Sequence, residues 1–251
     1  MVVGAALAVG LIVTTGACGH ANRPDLGEDA APTTTTVAPT TTTAPDRGTT
    51  VVTTPATSVD VFSAPDDPVP ALTVEKPGPG LQAPEDPLAF VVQDQRAGWL
   101  QVQVPVRPNG TTGWIKADGL EESTTDLHIE VSLAWHTLKL FDGDELLLDA
   151  PVAVGADDSP TPEGQFFTTT LIQGYAQPSA YGIAAIGLSG FSEVLDSFGG
   201  GPPQIAIHGT YDEAAIGTNV SNGCIRLKNA DIQALVDHLP QHLGVPVVIA
   251  A

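Results

Sequence analysis

The chain has 251 residues, with 29 acidic and nine basic side chains, and its formal net charge is −20. Proteins that bind nucleic acid or anionic lipid by charge neutralise phosphates with Lys and Arg, so this composition excludes both classes of partner. A hydrophobic content of 42% suffices for a core in one large domain or two smaller ones, and 26 Gly with 22 Pro favour turns, strands and linkers over helices.

The first 18 residues resemble a bacterial export signal. No charged residue precedes Cys18, and residues 2–13 form an apolar run that is short for a membrane span. Small residues then lead up to Cys18, as in a lipobox, in which the thiol takes a diacylglycerol. We predict a signal peptide over residues 1–18 and lipidation of Cys18, with a plain cleaved signal or an uncleaved anchor as alternatives. The protein would then be a membrane-anchored lipoprotein that faces the cell wall.

Residues 19–58 have the composition of a disordered tether. Thirteen Thr lie between Thr33 and Thr57, interspersed with Pro and Ala, and large apolar side chains are almost absent. Such a segment buries too little surface to offset the entropy lost on ordering the chain. We therefore expect a tether that spaces a folded domain from the anchor.

A β-rich module is predicted over residues 59–122. Its short alternating segments are separated by turn signals, a spacing typical of a small β-barrel. The segments 98–102 and 112–115 resemble parts of bacterial SH3-like domains, which are common in cell-wall enzymes. We expect an SH3-like fold in which Trp99 and Trp114 either belong to the core or line a peptide groove.

Residues 125–251 are predicted to form a second domain that is also mainly β. Strands are predicted where apolar residues alternate or form short runs, at 127–133, 137–141, 145–154, 165–171, 204–208 and 246–249. One helix is predicted to begin with Asn229 as its N-cap, because an apolar stripe follows it.

A long irregular stretch is predicted between two of these strands. Residues 172–203 are rich in Gly, Pro and Ser. Long irregular stretches beside a site are often lids or binding loops. Tyr181 and Ser189 lie in this predicted lid, where we expect them to support the site or contact substrate.

The chemistry of the chain is concentrated near its end, in the segments His208-Gly209-Thr210 and Ser221-Asn222-Gly223-Cys224-Ile225-Arg226-Leu227. A cysteine nucleophile needs a base or a cation that yields the thiolate, and N–H donors for the oxyanion. His208 ends an apolar strand, which would fix its ring. Gly223 has no side chain, so backbone N–H groups near Cys224 would face a substrate carbonyl.

Positive charge near the sulfur is the other notable feature of these segments. Arg226 and Lys228 follow Cys224 within four residues and are expected to favour the thiolate. No metal or cofactor is predicted, because His208 and Cys224 lack two further ligands at usable spacing.

The pattern of these segments resembles the signature of the L,D-transpeptidase catalytic (YkuD-type) family. In that family a His precedes a Ser/Thr-x-Gly-Cys-x-Arg/Asn motif, and here twelve residues separate His208 from Ser221. Residues 161–166, Thr-Pro-Glu-Gly-Gln-Phe, look like the family's Thr-Pro-x-Gly-x-Phe turn. The resemblance covers about residues 127–249. Asn222 departs from the His that many members have at its position.

The resemblance implies a mainly β fold and an actinobacterial arrangement of domains. A small SH3-like β-barrel would be followed by a YkuD-type β-sandwich catalytic domain with one or two helices. A lipobox, a Thr/Pro tether and an SH3-like module ahead of the catalytic domain are similar to arrangements in actinobacterial members.

The resemblance also implies a cell-wall acyltransferase that acts on peptidoglycan stem peptides. Cys224 would cleave the diaminopimelate–D-Ala bond of a tetrapeptide stem through a thioester, and the amine of a neighbouring stem would then form a 3→3 cross-link. His208 would act as base and acid, oriented by the Gly209 carbonyl, and the N–H groups of Gly223 and Cys224 would hold the oxyanion. Carbapenems are expected to acylate the thiol.

The remaining residues of the motif would support the site or bind substrate. Ser221 would support His208 or contact substrate, and Asn222 replaces a second candidate base. Arg226 would bind a substrate carboxylate, lower the thiol pKa or brace the loop, and bracing together with electrostatics is weighed evenly against direct binding.

Three alternatives to transpeptidation remain open at this stage. An L,D-carboxypeptidase would use the same site with water as acceptor. A peptidase of the NlpC/P60 type also follows SH3-like domains, but its Cys precedes its His, whereas His208 precedes Cys224 here. A non-catalytic wall-binding lipoprotein would not need the complete motif. The sequence makes no prediction about the oligomeric state.

Overall fold

The computed structural model describes residues 48–76, 86–239 and 243–251. The predicted signal peptide, Cys18 and most of the predicted tether lie outside these residues. Within them the protein is mainly β, as predicted, with one α-helix, α1 (Asn229–Asp237), and one 3-10 turn at Glu213–Ala215. None of the helical segments in this part of the chain is long and apolar enough to cross a membrane.

The N-terminal part of the described chain is built on an antiparallel sheet with the order β6-β5-β4-β1-β7. Its strands, with the hairpin β2–β3 beside the sheet, are β1 (Thr49–Thr54), β2 (Ser58–Val61), β3 (Leu72–Glu75), β4 (Leu88–Arg96), β5 (Trp99–Gln103), β6 (Thr112–Lys116) and β7 (Glu121–Thr125). Two backbone hydrogen bonds of 2.8 Å between Phe62 and Trp114 join the hairpin to β6. The assignment of this part to the SH3-like class, and the predicted domain boundaries, stay predictions.

The prediction of a disordered tether up to Ser58 is wrong for its last residues. Strand β1 lies inside that range and pairs with β4 on one side and β7 on the other. Val51 and Val52 are almost fully buried, at 3% and 1% exposure. The Thr-rich composition hid a strand because β-branched residues suit a pleated surface once neighbouring strands complete the hydrogen bonding.

The C-terminal part of the chain contains a second sheet, whose order is β10-β9-β8-β17-β12-β13-β14-β16. Its strands are β8 (Leu127–Ser132), β9 (Thr137–Asp142), β10 (Glu145–Pro151), β12 (Gly164–Gln173), β13 (Ala184–Phe191), β14 (Gln204–His208), β16 (Ile225–Arg226) and β17 (Pro246–Ala250). A separate short pair joins β11 (Val154–Gly155) to β15 (Asn219–Ser221). The pairs β8–β17 and β14–β16 are parallel, and the other pairs of the large sheet are antiparallel.

Strand β12 is the corner between the two halves of this large sheet. Its first residues, 164–167, pair with β17, and its later residues, 168–173, pair with β13. A register shift lies between Thr168 and Thr170. Strands that change partners at such an irregularity let a sheet fold over a shared core. Accordingly, buried residues from β9 at one end and from β14 and β16 at the other belong to the same hydrophobic core.

Two further sequence predictions in this domain are corrected by the structure. The predicted lid of residues 172–203 is interrupted by β13, whose residues are almost all buried. Helix α1 begins at Asn229, so its N-cap is Lys228, which makes no side-chain capping bond. The side chain of Asn229 is used elsewhere, in a contact described with the site below.

Polar side chains fix the N-terminal sheet region to the C-terminal domain. The Asn109 amide donates to the Phe191 carbonyl at 2.8 Å and accepts the Phe191 N–H at 2.9 Å. Asp86 accepts bonds from the Thr170 hydroxyl at 2.7 Å and from the Leu171 N–H at 3.1 Å. These contacts lie at β12 and β13, so the N-terminal part is bonded to strands of the C-terminal core.

We expect Asn109→Ala to destabilise the protein. The substitution removes two part-buried hydrogen bonds to the Phe191 backbone, each of which contributes about 0.5–1.5 kcal/mol. Urea unfolding followed by tryptophan fluorescence measures the change. Gln93→Ala, at an exposed position of β4, is the matched control and should change the free energy of unfolding by less than about 0.5 kcal/mol. Equal effects of the two substitutions would show that the Asn109 contact contributes nothing.

Candidate active site

His208 is held at the end of β14, between two neighbouring strands. Its Cα lies opposite Ala185 of β13 on one side and Arg226 of β16 on the other. The strand is apolar because it is buried over nearly its whole length, and His208 itself is only 3% exposed. Strand pairing on both sides therefore gives the imidazole a fixed position.

The imidazole is oriented by the residue that follows it. His208 Nδ1 lies 2.5 Å from the Gly209 carbonyl oxygen. A carbonyl only accepts hydrogen bonds, so Nδ1 carries the proton of the neutral ring. The lone pair is then on Nε2, which is the nitrogen available to act as a base.

Ser221 holds the loop that carries Cys224. Its hydroxyl donates to the Cys224 carbonyl at 2.6 Å and accepts the Gly223 N–H at 3.1 Å. Gly223 has a φ of +103°, and a Cβ there would lie 2.9 Å from the Ile205 side chain. The residue therefore has to be glycine for the backbone to adopt this path.

The predicted oxyanion role of Gly223 is not met in this structure. An N–H group has one hydrogen, and that of Gly223 is directed to Ser221 Oγ rather than to the pocket. The Gly223–Ser221 bond instead fixes the turn that presents Cys224.

A turn from another part of the domain supports the same loop. The Ser221 carbonyl accepts the Ala156 N–H at 2.9 Å and the Ser159 hydroxyl at 3.1 Å. Thr161, the first residue of the Thr-Pro-x-Gly-x-Phe segment, accepts the Gly155 N–H at 2.8 Å. The two sequence segments that carry the family resemblance thus lie against one another.

Arg226 braces its strand through the backbone and not through its side chain. Two backbone bonds of 2.8 and 2.9 Å pair it with Ala153. The guanidinium lines the pocket, and its buried Nε has no hydrogen-bond partner in the described part of the chain. The sequence left bracing by the guanidinium and direct ligand binding as equal alternatives. Among the described residues, the guanidinium braces nothing.

Burial keeps both reactive groups neutral. It lowers the pKa of His208 from 6.5 to about 4, aided by the Arg226 charge and opposed by the hydrogen bond to Gly209. Burial also raises the pKa of the Cys224 thiol, against the smaller opposing effects of a hydrogen bond with the Ala206 backbone and of Arg226. The Arg226 charge thus favours the thiolate, as expected from the sequence, but desolvation outweighs this effect and the thiol pKa is raised.

The reactive residues open onto a pocket of about 230 Å³. Its polar lining residues are Gln204, His208, Asn222, Cys224 and Arg226, and its other lining residues are Ala180, Tyr181, Leu195, Phe198 and Pro203. Of these, Gln204, Ala180, Leu195, Phe198 and Pro203 were not named from the sequence as site residues. The signal that identifies Leu195 and Phe198 is the occurrence of isolated large apolar side chains in a segment rich in Gly and Ser.

Tyr181 lies against the imidazole. The ring centroids of Tyr181 and His208 are 5.1 Å apart with an interplanar angle of 64°. Tyr175 stacks on Tyr181 at 5.5 Å, and burial raises the pKa of both phenols, that of Tyr175 to about 12. Tyr181, backed by Tyr175, therefore contacts the imidazole in an edge-type arrangement and contributes to its burial.

Asn229 holds the segment that carries Tyr181 in place. The sequence did not predict Asn229 as a site residue. Its Oδ1 accepts the Ile183 N–H at 3.2 Å. A Cβ at Gly182 would lie 2.1 Å from this oxygen, and a Cβ at Gly209 would lie 2.4 Å from it. Because Gly182 and Gly209 have no side chains, the Tyr181 segment and the residue after His208 can both pack against Asn229 at the start of α1. No local sequence signal indicates this contact.

Two residues named from the sequence lie away from the pocket. Ser189 is in β13, where it is buried and its hydroxyl accepts the Phe167 N–H at 3.0 Å. Its predicted lid role is therefore wrong, and the residue joins β13 to β12. Lys228 is exposed and precedes α1. In the described ranges, no three His, Cys, Asp or Glu side chains cluster in a way that could hold a metal ion.

Comparison with known families matches residues 126–249 to the YkuD L,D-transpeptidase catalytic domain. A YkuD protein of Bacillus subtilis, named as an L,D-transpeptidase, is 31% identical over 160 residues, which cover 62% of this chain and 89% of that protein. The chain belongs to the YkuD L,D-transpeptidase family. A YkuD protein of Bacillus licheniformis is 33% identical over 118 residues, or 47% of this chain and 62% of the relative.

A solved L,D-transpeptidase structure from Mycobacterium smegmatis also aligns with this family member. It covers 61% of this chain and 90% of its own, with 16% sequence identity and a TM-score of 0.37. The matched family domain contains Ser221, Cys224 and His208, so the resemblance of the motif to the L,D-transpeptidase signature is confirmed at the level of the family.

We expect Tyr181→Ala to raise the pKa of His208 from about 4 toward 6.5, because water then reaches the uncovered ring. Tyr181→Phe keeps the ring and should leave the pKa near 4. Titration of the His208 ring C–H signals by NMR measures both values without substrate. In the unsubstituted protein, the His208 ring gains its second proton only as the pH falls through about 4. An unchanged pKa in the Ala variant would show that Tyr181 does not shield the imidazole.

Proposed function

We propose that the protein is a cell-wall L,D-transpeptidase that cleaves the diaminopimelate–D-Ala bond of peptidoglycan tetrapeptide stems and forms 3→3 cross-links. The observation that carries the proposal is the presence of Cys224 and His208 in one pocket, with His208 Nδ1 occupied by the Gly209 carbonyl. This arrangement provides a nucleophile and a base whose free nitrogen is defined. Family membership supports the choice of acyl transfer.

In the first half-reaction, the thiol attacks the carbonyl of the L-centre of diaminopimelate. Because both groups begin neutral, the thiol proton passes to His208 Nε2 as the sulfur–carbon bond forms. The imidazolium then returns this proton to the nitrogen of D-Ala as the carbon–nitrogen bond breaks. Free D-Ala leaves, and Cys224 carries the thioester.

In the second half-reaction, the side-chain amine of a neighbouring stem attacks the thioester. His208 Nε2 takes a proton from the attacking amine and gives it to the departing sulfur. The apolar and aromatic residues that line the pocket keep water from competing with the amine. We assign the oxyanion to the Cys224 N–H, since Gly223 donates to Ser221; loss of one such donor typically costs about 100- to 1000-fold in rate.

The test is to incubate the purified protein with tetrapeptide-stem muropeptides and to identify the products by mass spectrometry. We expect dimers of the 3→3 type together with released D-Ala. Cys224→Ala should lose at least about 1000-fold in rate, because no other group supplies the nucleophile. Tripeptides without dimers would replace the proposal with an L,D-carboxypeptidase that uses water as acceptor. Absence of any cleavage would favour a non-catalytic wall-binding protein.

A carbapenem provides an independent readout of the same nucleophile. We propose that it acylates Cys224 and that the intact mass of the protein rises by the mass of one inhibitor. Cys224→Ala is the matched control and should gain no mass. An adduct on the variant would place the reactive group elsewhere.

Export and anchoring complete the proposed function. We propose that residues 1–18 direct the chain across the membrane and that Cys18 is lipidated, so that the catalytic domain faces the wall. Metabolic labelling with a fatty-acid analogue in the native host should mark the wild-type chain. Cys18→Ala should abolish the label, and a label that persists in the variant would exclude Cys18 as the modified residue.

A further inference from the structure

Arg226 is a cation beside Cys224 that has no anionic partner in the described part of the chain. Residues 121–251 contain 17 acidic residues and only three basic ones, Lys139, Arg226 and Lys228. Lys139 pairs with Asp149 at 3.8 Å, and Lys228 is exposed to solvent. Across the described residues, no carboxylate lies within ion-pair distance of Arg226, and its buried Nε has no hydrogen-bond partner. Because acidic side chains are abundant in this domain, the unpaired guanidinium of Arg226 indicates that it binds a ligand.

Arg226 lines the same pocket as Cys224. The two residues are separated only by Ile225, which is fully buried in the core, whereas both of them line the pocket. The Arg226 charge is close enough to the thiol to lower its pKa, against the larger effect of burial. A group bound by the guanidinium is therefore a close neighbour of the carbonyl that the sulfur attacks.

The surroundings of the guanidinium favour an anion as its ligand. Half of the residues that line the pocket are apolar or aromatic, and the buried Nε of Arg226 has no hydrogen-bond partner among the described residues, so the protein offers the charge little solvation. A guanidinium in such surroundings binds a carboxylate through two parallel N–H···O bonds, which are stronger than bonds between neutral groups.

We propose that Arg226 binds the terminal carboxylate of the residue that leaves when the scissile bond breaks. This carboxylate is three covalent bonds from the scissile carbonyl carbon, through the amide nitrogen and the α-carbon, and therefore suits a receptor next to Cys224. The site then selects a stem in which one residue with a free carboxylate follows the scissile bond. The inference rests on the proposed function and names the feature of the substrate that this side chain recognises.

A purely electrostatic role for Arg226 makes a different prediction. The Arg226 charge also acts on Cys224 and His208, so its removal changes the chemistry for every substrate. That change is the same whether the substrate ends in a carboxylate or in a carboxamide. The ratio of kcat/KM values for the two substrates therefore isolates carboxylate recognition from effects on the nucleophile and the base.

The experiment compares the tetrapeptide with the same peptide amidated only at its terminal D-Ala. We expect the wild-type protein to prefer the acid by about 10- to 100-fold in kcat/KM, which is the range for a charged hydrogen-bonded pair. Arg226→Gln should bring the ratio close to one. Arg226→Lys, which keeps the charge without the planar fork, should retain an intermediate preference.

Lys228→Gln is the matched control for loss of one positive charge near the pocket. Lys228 is exposed and does not line the pocket, so its removal should leave the acid-to-amide ratio unchanged. Binding of the two peptides to Cys224→Ala protein, with and without Arg226→Gln, is measured by calorimetry and does not depend on turnover.

The two measurements separate the inference from the proposed reaction. If the protein binds the acid more tightly than the amide in an Arg226-dependent way but turns over neither, carboxylate binding by Arg226 is supported and the proposed reaction is contradicted. If the wild-type protein turns over both peptides with an acid-to-amide ratio near one, carboxylate binding by Arg226 is contradicted and the proposed reaction stands. Failure of the acid peptide to bind, or an unchanged acid-to-amide ratio in Arg226→Gln, also overturns carboxylate binding by Arg226.

Discussion

Burial of His208 and desolvation at Cys224 control the chemistry that this pocket can perform. Desolvation lowers the pKa of the imidazole and raises that of the half-buried Cys224 thiol, so both groups rest in their neutral forms. Under the mechanism that we propose, the thiol proton therefore passes to His208 as the sulfur attacks. The bond from His208 Nδ1 to the Gly209 carbonyl becomes decisive, because it leaves the other nitrogen ready to receive that proton.

The polar residues of the motif mostly hold backbone in place. Ser221 bonds to both Gly223 and Cys224, and the turn at Ala156 and Ser159 bonds to the Ser221 carbonyl. Such bonds fix the nucleophile without adding charged groups to a site that disfavours them. The guanidinium of Arg226 is the exception, and its unmatched charge is why we assign a ligand to it.

The sequence pattern predicted that His208 and Cys224 share a site, and the structure brings both to one pocket. His208 ends an apolar strand, and β14 has the bounds that its apolar pattern predicts. The prediction failed where a residue's partner is distant in the chain. Asn229 looks like a helix cap but bonds to Ile183, and Ser189 looks like a loop residue but lies in a buried strand. In each case the sequence gives the residue type and not the neighbour that uses it.

By itself, the sequence determined the mainly β class, the family and the pairing of His208 with Cys224 as the candidate site, because these depend on residue type, order and spacing. Only the tertiary structure decided the protonation states, the hydrogen-bond partner of Gly223 and the apolar residues that line the pocket. Those properties depend on desolvation and on hydrogen-bond partners, which residues distant in sequence supply. The strand at residues 49–54 shows the same limit, since its Thr-rich composition becomes ordered only between β4 and β7.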